Sequence, residues 1–277
     1  MNEPRNIVIT GGSDGIGTAA ARALARGGDR IILVGRSPAK THAVAEEIGA
    51  EGHVADFADL GQVRELAGEI GRRYPRIDVL VNNAGLIAGS TRILTTDGHE
   101  LTFQVNHLAP FMLTVLLRDR LAGATVITTS SRAGTTRGAR VNTDDLDMVT
   151  GYDGLRAYKA SKLANVLFTQ EIARRWGSLG ISAAAVHPGI VRSQWGKSGP
   201  AAVRTVVSSP FRLIMRSPER GADTIVWLAT TTPGKDWTSG GYYANRAPAT
   251  PSPLAGDTGL ARRLWDTSAA ICDLSAY

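Results

Sequence analysis

A short apolar run followed at once by a glycine-rich turn constrains this chain more than any other feature. Residues 6–10 read Asn-Ile-Val-Ile-Thr, and the turn that follows reads Gly-Gly-Ser-Asp-Gly-Ile-Gly before a helical pattern begins. An apolar run of this length suits a buried strand of a parallel sheet. Gly11, Gly15 and Gly17 allow a tight turn, a close backbone approach to a diphosphate, and close packing of the helix on the strand. The sequence therefore predicts a diphosphate-binding turn, with a glycine turn that binds no ligand as the alternative.

The alternation of strand and helix patterns continues along the chain. Further strands are predicted at residues 30–35, up to 54, at 77–81, 125–131, 181–186 and 241–244. Helical patterns stand between them, including a long helix from Gly98 to Leu121 and a closing helix from about Leu254 to Ile271. No shift in composition marks a boundary, so we predict one domain over residues 1–277.

Composition excludes several other classes of protein. Hydrophobic residues make up 43% of the chain and charged residues 20%, as in ordinary globular proteins. The net charge is +6, but the basic residues form scattered pairs such as Arg72-Arg73 and not a stripe, which argues against nucleic-acid binding. We interpret these residues as parts of solvated helix faces, with an anionic ligand or partner as the alternative. The single cysteine and the dispersed histidines predict no metal site. No run approaches 18 apolar residues, so we expect no integral membrane segment and a cytoplasmic location.

A tyrosine and a lysine four residues apart provide the clearest chemical signal. Tyr158 and Lys162 lie in a helical stretch, so their side chains project from the same face. A fixed positive charge lowers the pKa of a neighbouring phenol, and a tyrosine tuned in this way can protonate a carbonyl oxygen while hydride reaches the carbon. Ser131, at the carboxyl end of the strand at 125–131, is placed to hydrogen-bond the same oxygen.

Together these features resemble the classical short-chain dehydrogenase/reductase family, over essentially the whole chain. The matching motifs are G-x-x-x-G-x-G at 11–17, Asp56, Asn82-Asn83-Ala84-Gly85, Asn106, Ser130-Ser131, Tyr158-x-x-x-Lys162 and Pro188-Gly189. The 26 residues between Ser131 and Tyr158 resemble those of the retinol-dehydrogenase-like branch. The resemblance implies an α/β fold of the Rossmann type, with a doubly wound, mostly parallel seven-stranded sheet and helices on both faces. It also implies a small-molecule carbonyl or alcohol substrate and a homodimer.

The resemblance implies a role for each matching residue. The implied catalytic residues are Asn106, Ser131, Tyr158 and Lys162. Asn106 would hold a relay water, although a polar group at a helix kink is an alternative for this residue. The implied cofactor-binding residues are Gly11, Ser13, Asp14, Gly15, Ile16, Gly17, Arg36, Ser37, Asp56, Phe57, Asn83, Ala84, Gly85, Tyr158, Lys162, Pro188, Gly189, Val191 and Ser193.

Arg36 indicates which cofactor binds. It follows the second predicted strand, where an acidic residue would bind the ribose of NAD and an arginine suits the 2'-phosphate of NADP. The sequence therefore predicts NADP(H), with Ser37 as a second contact to the phosphate. Asp14 argues in the other direction, because some NADP-preferring relatives carry a basic residue there. A solvated strand end is the alternative for Arg36.

Two function classes follow from these residues. The first is an NADP(H)-dependent oxidoreductase that interconverts a lipophilic ketone or aldehyde and an alcohol. The second is a cofactor-sensing regulator on the same fold, which would not need to keep Ser131, Tyr158 and Lys162, and their presence favours the enzyme. Residues 190–222 are predicted to form a substrate lid, with a membrane-surface contact or ordinary packing as alternatives.

Overall fold

A computed structural model describes residues 3–136, 138–191 and 215–274. Its centre is one sheet with the strand order β3-β2-β1-β4-β5-β6-β7-β8. The strands are β1 (Asn6–Thr10), β2 (Arg30–Gly35), β3 (Glu51–Val54), β4 (Val79–Asn82), β5 (Thr125–Thr129), β6 (Ser182–Val186), β7 (Gly241–Ala244) and β8 (Ala247–Pro248). From β3 to β7 every pairing is parallel. The predicted doubly wound, mostly parallel α/β fold is confirmed.

Helices cover both faces of the sheet. They are α1 (Gly15–Arg26), α2 (Pro38–Ile48), α3 (Leu60–Arg73), α4 (Leu101–Phe103), α5 (Ala109–Leu116), α6 (Gly154–Trp176), α7 (Pro218–Thr230) and α8 (Thr258–Ile271). Residues of α1, α2 and α7 pack in one apolar layer, and residues of α3, α5, α6 and α8 pack in the other. The sheet is therefore buried on both faces, which explains the continuous apolar runs in the sequence.

The order of the strands reverses beside β1. The chain winds outward from β1 through β2 to β3, and then returns to β4 on the other side of β1. In such sheets ligands bind outside the carboxyl ends of the strands, at this reversal. The glycine turn after β1 and the Asn82–Gly85 segment after β4 both lie at this point.

Among the residues that the structure describes, the sheet has eight strands and not the predicted seven. The additional strand, β8, pairs antiparallel with β7 in a segment where the sequence analysis predicted no strand. Asn245 and Arg246 connect the two strands and both have positive φ values, of 54° and 59°. Two consecutive residues of this kind form a tight hairpin turn, which brings Ala247 opposite Ala244.

The long helix predicted from Gly98 to Leu121 is interrupted. α4 ends at Phe103, a π-helical turn occupies Gln104–Leu108, and α5 follows. Pro110 has no N–H to donate to the carbonyl of Asn106, four residues earlier, so a regular α-helical bond is unavailable there. The chain widens locally to a π turn, a feature that is frequent at functional sites.

The predicted lid at 190–222 lies mainly in residues 192–214, outside the described residues. On either side of these residues, Val191 pairs with Arg216, and α7 begins at Pro218. Within the described residues no helix is both long enough and apolar enough to cross a bilayer. The cytoplasmic location stays a prediction.

Candidate active site

The turn between β1 and α1 has no space for side chains at its glycines. Gly11 and Gly15 have positive φ values, of 62° and 56°. A Cβ atom on Gly11 would lie 2.8 Å from the Cα of Ala84, and one on Gly17 would lie 2.2 Å from the carbonyl oxygen of Gly11. The backbone N–H groups at the start of α1 thus remain accessible to an anion at the carboxyl edge of the sheet.

Thr10 and Asn83 hold this turn against the end of β4. The Thr10 hydroxyl accepts hydrogen bonds from the backbone N–H groups of Asn83 at 3.0 Å and Ala84 at 3.1 Å. The Asn83 amide donates to the carbonyl oxygens of Thr10 and Gly11. The Asn83 side chain therefore fixes the shape of the turn, an arrangement that the motif alone did not reveal.

A positively charged region lies beside the glycine turn. Arg36 is exposed and makes no hydrogen bond or ion pair within the described residues. Lys40, on the first turn of α2, pairs with Asp14 at 3.1 Å. Sequence analysis did not single out Lys40, although it offsets the acidic residue that argued against NADP. Ser37 caps α2 with its backbone and makes no side-chain capping bond.

Asp56 and Phe57 follow β3 at the same edge of the sheet. The Asp56 carboxylate accepts a hydrogen bond from the Ala58 N–H at 3.0 Å, and Phe57 is buried. Asp59 caps α3 by accepting a hydrogen bond from the Gln62 N–H. Asp56 thus lies at the carboxyl edge of the sheet, and its contact with a cofactor stays a prediction.

Ser131 and Tyr158 meet because a short 3₁₀ helix, Arg132–Thr135, packs directly on α6. A Cβ atom on Gly134 would lie 2.6 Å from the carbonyl carbon of Lys162, so only glycine allows this approach. The Ser130 hydroxyl donates to the Lys162 carbonyl oxygen at 2.6 Å and joins the two elements. Ser131 caps the start of the 3₁₀ helix, and its hydroxyl lies close enough to the Tyr158 phenol to lower the pKa of that group.

Tyr158 and Lys162 are buried side by side. They are 7% and 3% exposed, and the Lys162 Nζ lies 5.7 Å from the centre of the Tyr158 ring. The Lys162 Nζ also donates to the Thr129 carbonyl oxygen at 3.0 Å. Burial raises the pKa of Tyr158 to about 12, against a smaller lowering by Ser131, and burial lowers the pKa of Lys162 to about 8. In the protein alone, burial outweighs the lowering of the phenol pKa that we expected from Lys162.

Asn106 lies next to Lys162 but its side chain is already bonded to the protein. Its Oδ1 accepts from the Leu86 N–H, and its Nδ2 donates to the Leu86 carbonyl and to the Ser161 hydroxyl. A Cβ on Gly85 would lie 3.0 Å from this Oδ1 and 3.4 Å from the Lys162 Nζ, which explains the glycine. A water held by Asn106 would therefore donate a hydrogen bond to its backbone carbonyl. This carbonyl has no α-helical N–H partner, because Pro110 stands four residues later.

The segment after β6 forms a further wall of the site. Gly189 has a φ of 89°, and a Cβ there would lie 2.7 Å from the Cδ of Arg216. The side chains of Val191 and Ile16 both pack against Gly221 of α7. Pro188 is buried beside them. Ser193 lies outside the described residues, and its predicted contact stays a prediction.

Three residues that sequence analysis did not assign to the site lie near Ser131 and Tyr158. Arg132 is exposed, and its backbone N–H donates to the Nδ1 of His187 at 3.2 Å. Burial, together with the charges of Arg132 and Arg216, lowers the pKa of His187 to about 4. Tyr242, on β7, is close enough to Tyr158 and Arg132 for both to act on its pKa.

The structure thus brings the predicted catalytic residues to one edge of the sheet. Tyr158 lies beside both Ser131 and Lys162. Asn106 shares the neighbour Gly85 with Lys162 and is hydrogen-bonded to Ser161 of the same helix. The predicted cofactor-binding residues that the structure describes lie along the same edge. Among the described residues no group of three His, Cys, Asp or Glu side chains could hold a metal ion.

Comparison with known proteins relates this site to one family. Residues 5–202 match the family of the short chain dehydrogenases. The chain is 45% identical to a protein of Streptomyces sp. (strain C5) that is named as a daunorubicin C-13 ketoreductase, DnrU, over 96% of this chain and 92% of that protein. It is 38% identical to retinol dehydrogenase 13 of Homo sapiens, over 98% of this chain and 86% of that protein. A solved structure of an uncharacterized protein from Mycobacterium paratuberculosis has a TM-score of 0.79 and 32% identity, over 97% of this chain and 93% of that chain.

Proposed function

The chain belongs to the short-chain dehydrogenase/reductase family, in its retinol-dehydrogenase-like branch, and from this premise we propose that it reduces a lipophilic ketone with NADPH, with Tyr158 as the proton donor. The family consists of oxidoreductases that use NAD(P)(H), and its carbonyl and alcohol chemistry is common to both relatives named above. The preference for NADP(H), the role of Tyr158 and the choice of substrate are the parts that we propose.

Arg36 carries the proposal for NADP(H). Its guanidinium is exposed beside the glycine turn and is not used by any described residue. A guanidinium binds a phosphate through two parallel hydrogen bonds, and the Ser37 hydroxyl can add a third. Lys40 adds positive charge to the same region and neutralises Asp14.

The glycine turn fits a dinucleotide, since its tight backbone would admit no other residue at Gly11 or Gly17. Asp56, Phe57, Ala84 and the Pro188–Val191 segment would line the rest of the cofactor site. When bound there, the nicotinamide supplies the hydride. Ser193 would complete the site.

The protein's own residues would handle the carbonyl oxygen and the proton. The Ser131 hydroxyl hydrogen-bonds the oxygen and orients the carbonyl. Because burial keeps the phenol of Tyr158 neutral, it holds a proton and delivers it to that oxygen. The ammonium of Lys162 lies beside the ring and stabilises the phenolate that forms. The Asn106 carbonyl holds a water that returns a proton through Lys162.

The burial of Tyr158 beside Lys162, with Ser131 close to the phenol, is the observation that carries the reaction type. Ser131 lies between β5 and the 3₁₀ helix, Tyr158 lies in α6, and Gly134 allows the 3₁₀ helix to pack closely on α6. If Ser131 and Tyr158 only stabilised the fold, there would be no reason to bury Lys162 beside them, because burying an ammonium group costs free energy. Daunorubicin, in the name of the Streptomyces relative, is the first substrate to test, and retinal is the second.

The test is an NADPH-consumption assay over a panel of carbonyls that includes daunorubicin, retinal and aryl ketones. We expect turnover with at least one ketone, and we expect Tyr158→Phe to reduce it by about 10²-fold, the usual contribution of a general acid. NADPH affinity, measured by fluorescence titration, should change only a few-fold. Near-native turnover in Tyr158→Phe, or no NADPH consumption with any carbonyl, would contradict the proposal.

A further inference from the structure

Tyr242 is a second tyrosine at the reaction centre. It lies on β7 opposite Ala185 of β6, and its side chain belongs to the same apolar layer as α6. Tyr158 and Arg132 lie near enough to Tyr242 to influence its pKa. It is 6% exposed, so the ring is a fixed wall of the site.

The hydroxyl of Tyr242 makes no hydrogen bond within the described part of the chain. A fully buried tyrosine hydroxyl nearly always has a partner, but the Tyr242 hydroxyl is not among the fully buried polar atoms, so it opens onto space that solvent or a ligand can reach. The next residue shows the ordinary case. Tyr243 points to the opposite face of the sheet, where its hydroxyl accepts from the Thr238 N–H at 2.7 Å and donates to the Thr238 carbonyl at 3.0 Å.

The Tyr242 hydroxyl is also fixed in its donor form. Burial raises its pKa well above that of a free tyrosine, and Tyr158 adds to the rise while Arg132 opposes it. A neutral phenol donates one hydrogen bond and suits an acceptor oxygen. Arg132, which has no hydrogen-bonding or ionic side-chain partner among the described residues, favours electron-rich oxygen at the same place.

We propose that the Tyr242 hydroxyl binds a second oxygen of the substrate, on the carbon next to the reacting carbonyl. Ser131 and Tyr158 hold the carbonyl oxygen, and the hydroxyl of Tyr242 is left for a neighbouring group. The enzyme then prefers ketones that carry a hydroxyl or carbonyl on the adjacent carbon. This inference rests on the proposed function, since it requires that Tyr158 reduces a ketone.

Two ketones of matched size test the inference. 2-Hydroxyacetophenone and propiophenone differ only in an oxygen or a methyl on the carbon next to the carbonyl. The ratio of their kcat/KM values is measured with NADPH for the wild type, for Tyr242→Phe and for the control Tyr243→Phe. The result lies in how the ratio changes from the wild type to each variant. The ratio in the wild type alone is not informative, because the hydroxyl on the neighbouring carbon activates the carbonyl without any help from the protein.

We expect the ratio to fall by about five- to tenfold in Tyr242→Phe, the effect of one neutral hydrogen bond, and to stay within about twofold in Tyr243→Phe. An unchanged ratio in Tyr242→Phe would refute the inference and leave the proposed function intact. A lowered Tm of Tyr242→Phe with an unchanged ratio would also refute the inference, since the hydroxyl would then be bonded within the protein. If the wild type reduces neither ketone but reduces others of the panel, the inference is also wrong. If it reduces no carbonyl, the proposed function fails as well.

Discussion

Burial disfavours the charged forms of both Tyr158 and Lys162, and it does so in a way that suits reduction. A phenol with a pKa of about 12 is fully protonated at neutral pH and can act as a proton donor. Lys162, with a pKa of about 8, remains largely charged at pH 7 and still stabilises a phenolate at short range. The four-residue spacing could predict the pairing of the two side chains, but not the burial that sets the direction of the pKa shifts.

Arg36 provides a prediction about cofactor choice. Arg36→Leu removes the guanidinium that would bind the 2'-phosphate, so we expect the Kd for NADPH to rise by about tenfold or more and the Kd for NADH to change little. Fluorescence titration with both cofactors measures the two values. Arg30→Leu, at the other end of the same strand, is the control and should alter neither. An equal loss of affinity for both cofactors would show that Arg36 does not read the phosphate.

At the scale of helices and strands, short sequence patterns predicted the elements whose positions depend on neighbouring residues in the chain. The apolar runs located β1, β2 and β7, and the glycine turn correctly predicted a helix after β1, although α1 begins within that turn at Gly15. The π turn at Gln104–Leu108 was not predicted, because the bonds that hold Asn106 there come from Leu86 and Ser161, far away in the sequence. One signal was available for Tyr242. Two adjacent tyrosines in a strand must face opposite sides of the sheet, so one of them had to face α6.

The contact between the Ser131 segment and α6 gives a prediction at this scale. In Gly134→Ala the new Cβ would lie 2.6 Å from the backbone of Lys162, so the 3₁₀ helix must move away from α6. We expect a loss of about 1–3 kcal/mol in the free energy of unfolding, and a fall in kcat/KM of about tenfold or more because Ser131 and Tyr158 separate.

Gly177→Ala is the matched control for this substitution. Gly177 has a φ of −57°, and no atom would lie within 4 Å of its Cβ. Its stability and activity should therefore be unchanged, or its stability should rise slightly. Urea unfolding and steady-state kinetics measure both variants. Full activity in Gly134→Ala would show that the close packing is not what positions Ser131.

At the scale of the whole molecule, α8 changes the expectation for assembly. The resemblance implied a homodimer, and members of the resembled family often pair through the helices that correspond to α5 and α6. Trp265 of α8 packs against Phe111 of α5 and against Phe168 and Trp176 of α6, with ring centres 5.0–5.8 Å apart. The apolar side of α6 that faces Trp265 is thus already covered within one chain. A homodimer stays a prediction, and it would need another surface of these helices.

His107 links three parts of the molecule and gives a prediction for acid stability. It lies in the π turn, is 1% exposed, and its ring nitrogens bond Asn165 of α6 and Ser268 of α8. Burial lowers the pKa of His107 from 6.5 to about 4. Between these two values the unfolded chain binds a proton that the native chain does not, so the free energy of unfolding falls as the pH falls. The loss from this residue should begin near pH 6.5 and reach about 3 kcal/mol at pH 4.

Urea unfolding at several pH values between 7 and 4 tests this prediction. The variant His107→Gln keeps a polar side chain at the junction of the three elements but does not titrate. It should be less stable than the wild type at pH 7, and its free energy of unfolding should decline less steeply towards pH 4. His42→Gln is the control, because His42 is exposed on α2 and is solvated in the native and unfolded chains alike. Its decline should match that of the wild type. If His107→Gln also declined as steeply as the wild type, the loss of stability in acid would have to arise elsewhere, and His187, whose pKa burial lowers to about 4, would be the next residue to replace.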